Sequence, residues 1–598
     1  MAMKKILSIF ALLTAGLSLV SCDDMLDIAP KNKMTPDTFF KNEKELQSFT
    51  MNLYTQFPAS GLYLACDDAY IQTELSDEMR GLRTIEPSGN GWSWGALRNA
   101  NTILDYLPNC KDQAVRNHYE AMARFFRAYF YFEKIKRFGD VPWYDTQVGS
   151  TDTEQLNRPR DSREFIMGKM IDDIDFAIEN LSSTKSVYEI TKWTALALKS
   201  RFLLFEGTFR KYHTEFDYGD DAHDWKWYLE RCAEASEEFI SSSGYSIYTN
   251  GGKDAAYLNL FTTNSATELM DEVVLARNYN LTYGVYHNSN YTVLTGSLGR
   301  PGMTKKIVAS YLMKDGTRFT DKAGWQTMEF GDETKDRDPR LAQSIRTPGY
   351  CRIGTTKPIA PDLNACMTGY CPIKYLTTTD QDLWNGSDID LIIFRAGEIF
   401  LNFAEAKAEL GTLTQADLDK SVNKLRDRVG MPHMNLEAAN AKPDPFLRNK
   451  EWGGYQNVNG ANAGVILEIR RERTIELTQE GHRYYDIMRW KEGKVFEQQH
   501  YGIYFPRAGE YDLDGDGTKD LLLYEGNEAP ESQATLQYSL DNDIILSEGN
   551  KGYVNPHKNI ACVWNEDRDY LYPIPTDERS LTGGALTQNP GWNDGLTF

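Results

Sequence analysis

Two tryptophans lie two residues apart in the run Gly-Trp-Ser-Trp-Gly at 91–95. The run matches the GxSxG pattern, in which a serine nucleophile sits on a turn between an apolar strand and a helix. The six preceding residues are polar and turn-rich, so we do not expect Ser93 to be a nucleophile. Indoles can instead stack on the apolar face of a sugar ring while polar neighbours bind its hydroxyl groups. We therefore predict that Trp92, Trp94 and Asn101 contact ligand; alternatively, both indoles anchor the core.

A second aromatic cluster comprises Tyr283, Tyr286 and Tyr291, with Trp325 further along the chain. A histidine and an asparagine follow Tyr286 and could supply a hydrogen-bonding rim. The cluster falls in a long stretch without helical periodicity, and long ordered loops often carry function. We predict that some of these rings contact ligand, the others being ordinary packed or exposed aromatic residues.

Four aspartates, Asp512, Asp514, Asp516 and Asp520, surround Gly517. Carboxylates at alternating positions direct hard oxygen atoms to one point, and a glycine allows the sharp turn that a calcium loop needs. The bidentate glutamate of an EF-hand is missing, and no flanking helices are evident. The segment resembles the DxDxDGxxD loops of extracellular proteins. We expect no cofactor to be required and predict a structural calcium site here, with a metal-free turn as the alternative.

The elements that must position these residues are mostly α-helical. Apolar residues at helical spacing predict helices over residues 113–138, 162–181, 191–209, 225–242, 389–410, 415–428 and 464–494. Their short connections are typical of paired helices, although a strict tetratricopeptide consensus is absent. The predicted fold is mostly α, a degenerate tetratricopeptide-like helical-pair scaffold with a large irregular, loop-rich face carrying short strands.

The composition is that of an ordinary globular protein, with 41% hydrophobic and 25% charged residues among 598. We predict one compact body over 46–598. It comprises an N-terminal helical region at 46–243, an irregular ligand-face region at 244–388, and a C-terminal helical region with an irregular tail at 389–598. Lys and Arg number 65 against 86 Asp and Glu, a formal charge of −21. This balance argues against nucleic acid as a partner, because such binding needs a basic surface.

The N-terminus predicts export and anchoring by lipid. Lys4 and Lys5 precede a run of apolar residues that is short for a membrane span and typical of a secretory signal. Ser21 directly before Cys22 resembles a lipobox, in which the cysteine is diacylated and becomes the first residue of the mature chain. We predict a lipoprotein signal peptide at 1–21, lipidation of Cys22, and an N-terminal tether at 22–45.

Seven further cysteines remain after Cys22, an odd number, so at least one is free unless it bonds another chain. Cys351, Cys366 and Cys371 lie close in sequence and could include a disulfide. No CxxC pair is present, and neither a zinc site nor a redox motif is expected.

Five motifs follow the lipobox along the chain: ARFFRAY with RFGDVP at 123–142, DLIIFRAGEIFL at 390–401, VNKLRDRVG at 422–430, IRRERTIEL with EGHRYYD and RW at 469–490, and YPIP with QNPGW at 572–592. Together and in this order they resemble the SusD/RagB family of outer-membrane nutrient-binding lipoproteins. Charged residues of the fourth motif stand at helical spacing, which predicts a ladder of ion pairs that locks neighbouring helices.

The resemblance implies a surface-exposed, lipid-anchored protein of the cell outer membrane without catalytic activity. It would capture oligo- or polysaccharide and deliver this glycan to a SusC-type TonB-dependent transporter, which it covers as a lid. Asp77, Arg80 and Arg83 fall in a stretch that supplies polar ligand contacts in relatives; a solvated face is the alternative. Within the binding class the alternative is a peptide-capturing lid of a peptide transporter. From another class, the alternative is a secreted glycoside hydrolase.

Overall fold

The computed structural model describes residues 39–59, 67–219, 221–540 and 542–598. Within them the chain is mostly helical with short strands, which confirms the predicted fold class. The predicted signal peptide, Cys22 and most of the tether lie outside the described residues. Among the residues that are described, no helix is both long enough and apolar enough to cross a bilayer.

The α-helices, in chain order, are α1 (Glu43–Thr50), α2 (Asp77–Arg80), α3 (Gly95–Tyr106), α4 (Gln113–Phe138), α5 (Thr153–Leu156), α6 (Arg163–Asn180), α7 (Lys192–Tyr212), α8 (Trp225–Ser242), α9 (Ala256–Asn259), α10 (Ser289–Leu294), α11 (Lys305–Ser310), α12 (Phe330–Glu333), α13 (Pro339–Ala342), α14 (Ala396–Leu410), α15 (Gln415–Lys420), α16 (Val422–Val429), α17 (Leu436–Ala441), α18 (Ala463–Glu476), α19 (Arg483–Arg489) and α20 (Thr576–Leu581).

The strands are β1 (Tyr70–Ile71), β2 (Val273–Arg277), β3 (Gly302–Met303), β4 (Leu391–Arg395), β5 (Tyr504–Phe505), β6 (Gly509–Tyr511), β7 (Leu521–Tyr524), β8 (Leu536–Ser539) and β9 (Gly552–Tyr553). They form small sheets. Three are antiparallel pairs, β1 with β3, β2 with β4 and β5 with β9, and the fourth has the order β6-β7-β8. In that fourth sheet β6 and β7 are antiparallel, whereas β7 and β8 are parallel.

Helix α4 illustrates how local sequence sets the scaffold. The Asp112 side chain caps its N-terminus by accepting hydrogen bonds from the N–H groups of Ala114 and Val115. Gly139 ends the helix at a φ of +70°, a conformation that glycine adopts without steric cost. The observed bounds of α4 and of α8 are those predicted.

Paired helices build the main core. Helix α4 packs against α6, α7 against α8, and α8 against α14. Their buried faces, rich in phenylalanine and leucine, form one continuous apolar cluster. A second cluster, which includes Trp490, forms beneath α14, α16 and α18. This is the helical-pair arrangement that the sequence predicted.

Three helix predictions need correction. The stretch predicted as one helix over 464–494 contains two helices, α18 and α19, separated by a turn in which Gln479 and Gly481 take φ values of +60° and +80°. The stretch predicted as one helix over 389–410 begins with strand β4, which pairs with β2, and becomes helical only at Ala396. The stretch predicted as one helix over 415–428 breaks at Ser421, whose φ of −127° and ψ of −95° are not helical. A short apolar run is compatible with the two-residue period of a strand and with the 3.6-residue period of a helix. The sequence therefore could not distinguish strand β4 from the start of a helix.

A buried ionic network joins the scaffold to the irregular face. The fourth motif also forms the predicted ion pairs between helices, Arg426 with Glu472 and Arg428 with Glu476. Arg395, at the end of β4, pairs with Glu272 at 2.8 Å, Glu476 at 2.9 Å and Glu480 at 2.7 Å. The neighbouring guanidinium groups lower the pKa of Glu476 despite its burial, so it remains charged. Because the network joins three distant parts of the sequence, at 272, 395 and 476–480, it fixes how α18 and β4 meet.

Candidate functional site

The tryptophan pair is presented by a tightly held turn. Gly89, Asn90 and Gly91 all take left-handed conformations, with φ values of +78°, +48° and +87°. Lys134 of α4 donates to the carbonyl oxygen of Gly91, and Nε of Arg137 donates to that of Asn90 at 2.8 Å. Burial, together with the charge of Arg137, lowers the pKa of Lys134 to about 7. Two basic side chains of α4 therefore hold the turn that carries the indoles.

The two tryptophans differ in their surroundings. Trp92 is only 5% exposed and packs edge-on against Phe138, with ring centroids 4.9 Å apart. Trp94 is half-buried and lies 5.4 Å from Trp92 and 5.5 Å from Tyr144. Trp92 therefore anchors the core, while Trp94 still offers part of its ring to a neighbouring cavity.

That cavity, which we call the tryptophan cleft, has a volume of about 170 Å³. Its lining is mainly apolar and comprises Trp92, Trp94, Leu97, Arg98, Asn101, Pro142, Tyr144, Thr146, Val148, Leu156, Glu578, Thr582 and Leu586. Burial and the charge of Asp577 raise the pKa of Glu578, the acidic group of the lining. The cleft has room for one small ring or chain end, rather than for an extended polymer.

Asn101 lines the cleft, but its amide is occupied by the protein. Its Nδ2 donates to the carbonyl oxygens of Tyr144 at 2.9 Å and Thr146 at 3.0 Å. Its Oδ1 accepts from Nη1 of Arg127 at 3.3 Å. Since both ends of a 1% exposed side chain are used, Asn101 positions the segment bearing Tyr144.

Asp77, Arg80 and Arg83 do not belong to the lining of the cleft. Asp77 is exposed in the first turn of α2, and Arg80 is half-buried at its end. Arg83 is buried, with its guanidinium carbon 4.5 Å from the centre of the Tyr572 ring and Nη2 3.2 Å from a carboxylate oxygen of Asp569. Arg83 thus holds the tail against the body.

Exposed aromatic rings concentrate instead on two loops of the irregular face. Tyr283 is 81% and Tyr286 43% exposed, and Tyr291 is half-buried on α10. Trp384, 56% exposed, lies with its ring 5.3 Å from that of Tyr291 at an angle of 81°. We call these four residues, with the exposed Leu383, the tyrosine patch.

The loops of the patch are fastened to each other. The backbone of His287 exchanges two hydrogen bonds with that of Ser387, at 2.8 and 3.1 Å. Nδ2 of Asn288 donates to Oδ1 of Asn385 at 3.1 Å, and Asn385 takes a φ of +58°. The histidine predicted as part of a rim is buried, and its Nε2 contacts the carbonyl oxygen of Ile389. The patch is therefore a rigid surface for exposed rings.

Sequence reasoning missed Trp384 and Leu383, although an apolar pair between polar residues of a loop was an available signal. Trp325, by contrast, is not part of the patch. It is 6% exposed and packs against Phe446 and Trp452 in the second core cluster. Within the described residues, the tryptophan cleft and the tyrosine patch have no member in common, so they are two candidate surfaces.

The aspartate loop connects β6 and β7. Carboxylate oxygens of Asp512, Asp514 and Asp520 lie within 4.8 Å of one another. Burial and the charges of the neighbouring carboxylates raise the pKa of Asp514. Asp516 is outside this group: its Oδ1 accepts from the N–H of Thr518 at 2.7 Å and its side chain is exposed. Three converging carboxylates are a donor set that suits calcium.

Comparison with known proteins agrees with this architecture. A model described as the SusD family matches residues 267–592, and a model described as "starch-binding associating with outer membrane" matches residues 24–204. A SusD-like protein of Formosa agariphila is 22% identical over 534 residues, which cover 79% of this chain and 88% of that protein.

Solved structures of similar fold include a SusD-like carbohydrate-binding protein of Bacteroides fragilis, with a TM-score of 0.68 and 20% identity, covering 91% of this chain and 99% of that one. A laminarin-binding SusD-like protein gives a TM-score of 0.53 and 17% identity, covering 92% of this chain and 100% of that one. The first family model spans more than half of the sequence. The chain therefore belongs to the SusD family.

Proposed function

We propose that this protein captures a neutral oligo- or polysaccharide at the outer face of the outer membrane and delivers it to a SusC-type TonB-dependent transporter. The observation that carries the proposal is the tyrosine patch, where Tyr283, Tyr291 and Trp384 present rings on two loops fastened to each other. The names of similar structures, carbohydrate-binding in one case and laminarin-binding in another, support the same ligand class.

Aromatic rings suit sugars for a physical reason. The C–H groups on one face of a pyranose are apolar, so stacking removes apolar surface from water without burying the hydroxyl groups. The Trp384 and Tyr291 rings stand at 81° to each other, so they can contact successive sugars that are turned relative to one another. The side chain of Asn288 bonds to the side chain and backbone of Asn385 on the facing loop, so this pair holds the rings in position.

Family membership and the predicted lipid anchor at Cys22 support the transporter partnership. A protein tethered by its N-terminus beside a barrel can cover the barrel as a lid. Ligand held between lid and barrel would favour the closed state by the difference in its affinity for the two states. In this proposal the protein itself binds ligand without catalysing a reaction.

The aspartate loop is proposed as a structural calcium site. Asp512, Asp514 and Asp520 would supply carboxylate oxygens to the ion, and the convergence of the three side chains supports this assignment. Bound calcium would neutralise repulsion among these carboxylates and stabilise the turn between β6 and β7.

Calorimetric titration of the mature chain with neutral polysaccharides, charged polysaccharides and peptide mixtures tests the ligand class. We expect binding to a neutral glycan without release of reducing sugar. Binding to peptides alone would move the function to peptide capture, and release of reducing sugar would make the protein a hydrolase.

Two variants then locate the site. Tyr283→Ala should weaken glycan binding if the tyrosine patch is the platform, whereas Trp94→Ala should do so if the tryptophan cleft is. Phe165, 45% exposed on α6 and in neither surface, provides the matched control as Phe165→Ala.

A further inference from the structure

Two cysteines meet beneath the irregular face. Cys366 and Cys371 are both fully buried, and the structure carries both as thiols. The chain reverses between them through Gly369, at a φ of +82°, whose N–H donates to the carbonyl oxygen of Cys366. The Cys371 thiol donates a hydrogen bond to the sulfur of Cys366. The backbone fold of this turn therefore brings the two sulfur atoms together.

A shared carbonyl group fixes the pair from one side. The carbonyl oxygen of Asp362 accepts a hydrogen bond from the backbone N–H of Cys366 at 2.9 Å. The same oxygen lies 3.8 Å from the sulfur of Cys371. The backbone of Cys366 and the sulfur of Cys371 therefore meet at one carbonyl oxygen.

The segment around the pair connects several parts of the irregular face. The N–H of Met367 donates to Arg300, and the carbonyl oxygen of Tyr370 accepts from Met303 in β3. The carbonyl oxygens of Thr368 and Cys371 accept from Ile503 and Arg346. A covalent link here would stiffen the turn to which these backbone segments are hydrogen-bonded.

We propose that Cys366 and Cys371 form a disulfide bond in the mature protein. The predicted secretory signal places the chain outside the cytoplasm, where disulfides form and persist. The geometry selects this pair from the three cysteines that lie close in sequence, because the side chains of Cys366 and Cys371 contact each other, whereas the sulfur of Cys351 contacts the carbonyl oxygen of Gly349 at 3.7 Å.

The oxidation requires a second disulfide as oxidant, carried by a cell-envelope thiol–disulfide oxidoreductase or a small molecule. The thiolate of Cys366 attacks that disulfide and forms a mixed disulfide, releasing one thiolate of the oxidant. The thiolate of Cys371 then attacks the Cys366 sulfur and releases the second. The two protons lost by the cysteines pass to the two released thiolates. Because both sulfurs are shielded in the folded protein, this exchange belongs to folding after export.

Peptide mapping of the full-length lipoprotein, purified from membranes, tests the bond. Cells are quenched in acid, and free thiols are alkylated with N-ethylmaleimide under denaturing conditions. Trypsin then yields a peptide spanning 353–374, since Pro358 blocks cleavage after Lys357; it contains these two cysteines and no other. We expect no alkylation of this peptide, a mass lower by two hydrogen atoms than that of the dithiol, and two alkyl groups after prior reduction.

Two alkyl groups without reduction would overturn the proposal, and so would one, since it would show that a cysteine of the pair bonds elsewhere. The peptide containing Cys232, which is buried in the helical core, is expected to be alkylated without reduction and serves as the internal control.

Thermal unfolding gives an independent measurement. Reduction should lower the Tm of the wild type by about 1–3 °C, because the closed loop is short and the chain is long. The Cys366→Ser/Cys371→Ser variant should have the lower Tm with or without reductant. A Cys351→Ser/Cys562→Ser variant should respond to reductant as the wild type does. An unchanged wild-type Tm would contradict a stabilising bond.

Discussion

Trp92 and Trp384 carry the same indole in opposite surroundings. Trp92 packs between Trp94 and Phe138, whereas Trp384 is 56% exposed. We expect Trp92→Ala to lower the free energy of unfolding by about 3–5 kcal/mol through the cavity it leaves. Trp384→Ala should change it by less than about 0.5 kcal/mol. Urea denaturation measures both; equal losses would contradict these assignments. Trp92→Ala is therefore a poor probe of ligand contact.

The buried carboxyl group of Asp67 should make the stability of the protein depend on pH. Burial, and then the charge of Asp68, raise the pKa of Asp67 to about 7. An unfolded aspartate titrates near 3.9, so between about pH 7 and 4 the native state binds more protons than the unfolded state. The contribution of Asp67 to stability therefore increases as pH falls through this window and is lost as pH rises through 7.

Asp67→Asn removes the charge but keeps an oxygen that can accept from the N–H groups of Ala69 and Tyr70. We expect the variant to be more stable than the wild type by about 2 kcal/mol at pH 8, with little difference at pH 5. Urea denaturation at both values checks this. The same difference at pH 5 and pH 8 would show that Asp67 does not titrate in this range.

The ionic network yields a prediction for β4 and α18. Arg395→Met leaves carboxylates of Glu272, Glu476 and Glu480 without their shared partner, and we expect a loss of about 3–5 kcal/mol in the free energy of unfolding. The exposed pair Arg231–Glu234, 3.0 Å apart, gives the control. Arg231→Met should cost less than about 1 kcal/mol. Equal effects in chemical denaturation would mean that burial adds nothing to the network.

The aspartate loop yields a prediction for the turn between β6 and β7. If calcium binds with the millimolar to submillimolar affinity of extracellular loops, an excess should stabilise the protein by about 1–2 kcal/mol. Differential scanning calorimetry would show a higher Tm with calcium than with magnesium. Asp512→Asn should abolish this response, whereas Asp516→Asn should reduce it less, because Asp516 lies outside the converging group. A Tm independent of calcium would remove the proposed site.

At the scale of elements, the long helices could be predicted from sequence because both their caps and their periodicity are local. The bounds of α4 follow from Asp112 and Gly139, which flank it. Strand β4 was missed because its partner, β2, is far away in sequence. The helix break at Ser421 has no glycine or proline to mark it. Neither the pairing of distant strands nor the backbone geometry of a single residue changes the hydrophobic periodicity of the sequence.

The candidate site was predicted only in part, for the same physical reason. The tyrosines of 283–291 were found because they cluster in sequence. Trp384 joins them only because Asn288 meets Asn385 across two loops. Some predicted site residues are instead buried: edge-on and tilted ring contacts hold Trp325 inside, and an ion pair with Asp569 holds Arg83. Sequence spacing does not specify such contacts.

For the molecule as a whole, the helical scaffold forms the core, and the proposed function assigns ligand contact to the irregular face. The formal charge of −21 disfavours anionic polymers, because the overall field repels them. A neutral glycan has no net charge for that field to repel. We therefore expect its affinity to change little between low and high ionic strength.

The most direct test of the account is calorimetric titration of the mature chain with its best glycan ligand, comparing the wild type with Tyr283→Ala/Trp384→Ala. Each ring should contribute about 1–1.5 kcal/mol, so the double variant should bind roughly 30- to 150-fold more weakly. Its Tm should be unchanged, and Phe165→Ala should bind as the wild type does. Wild-type affinity in the double variant would contradict the assignment of the tyrosine patch as the glycan platform.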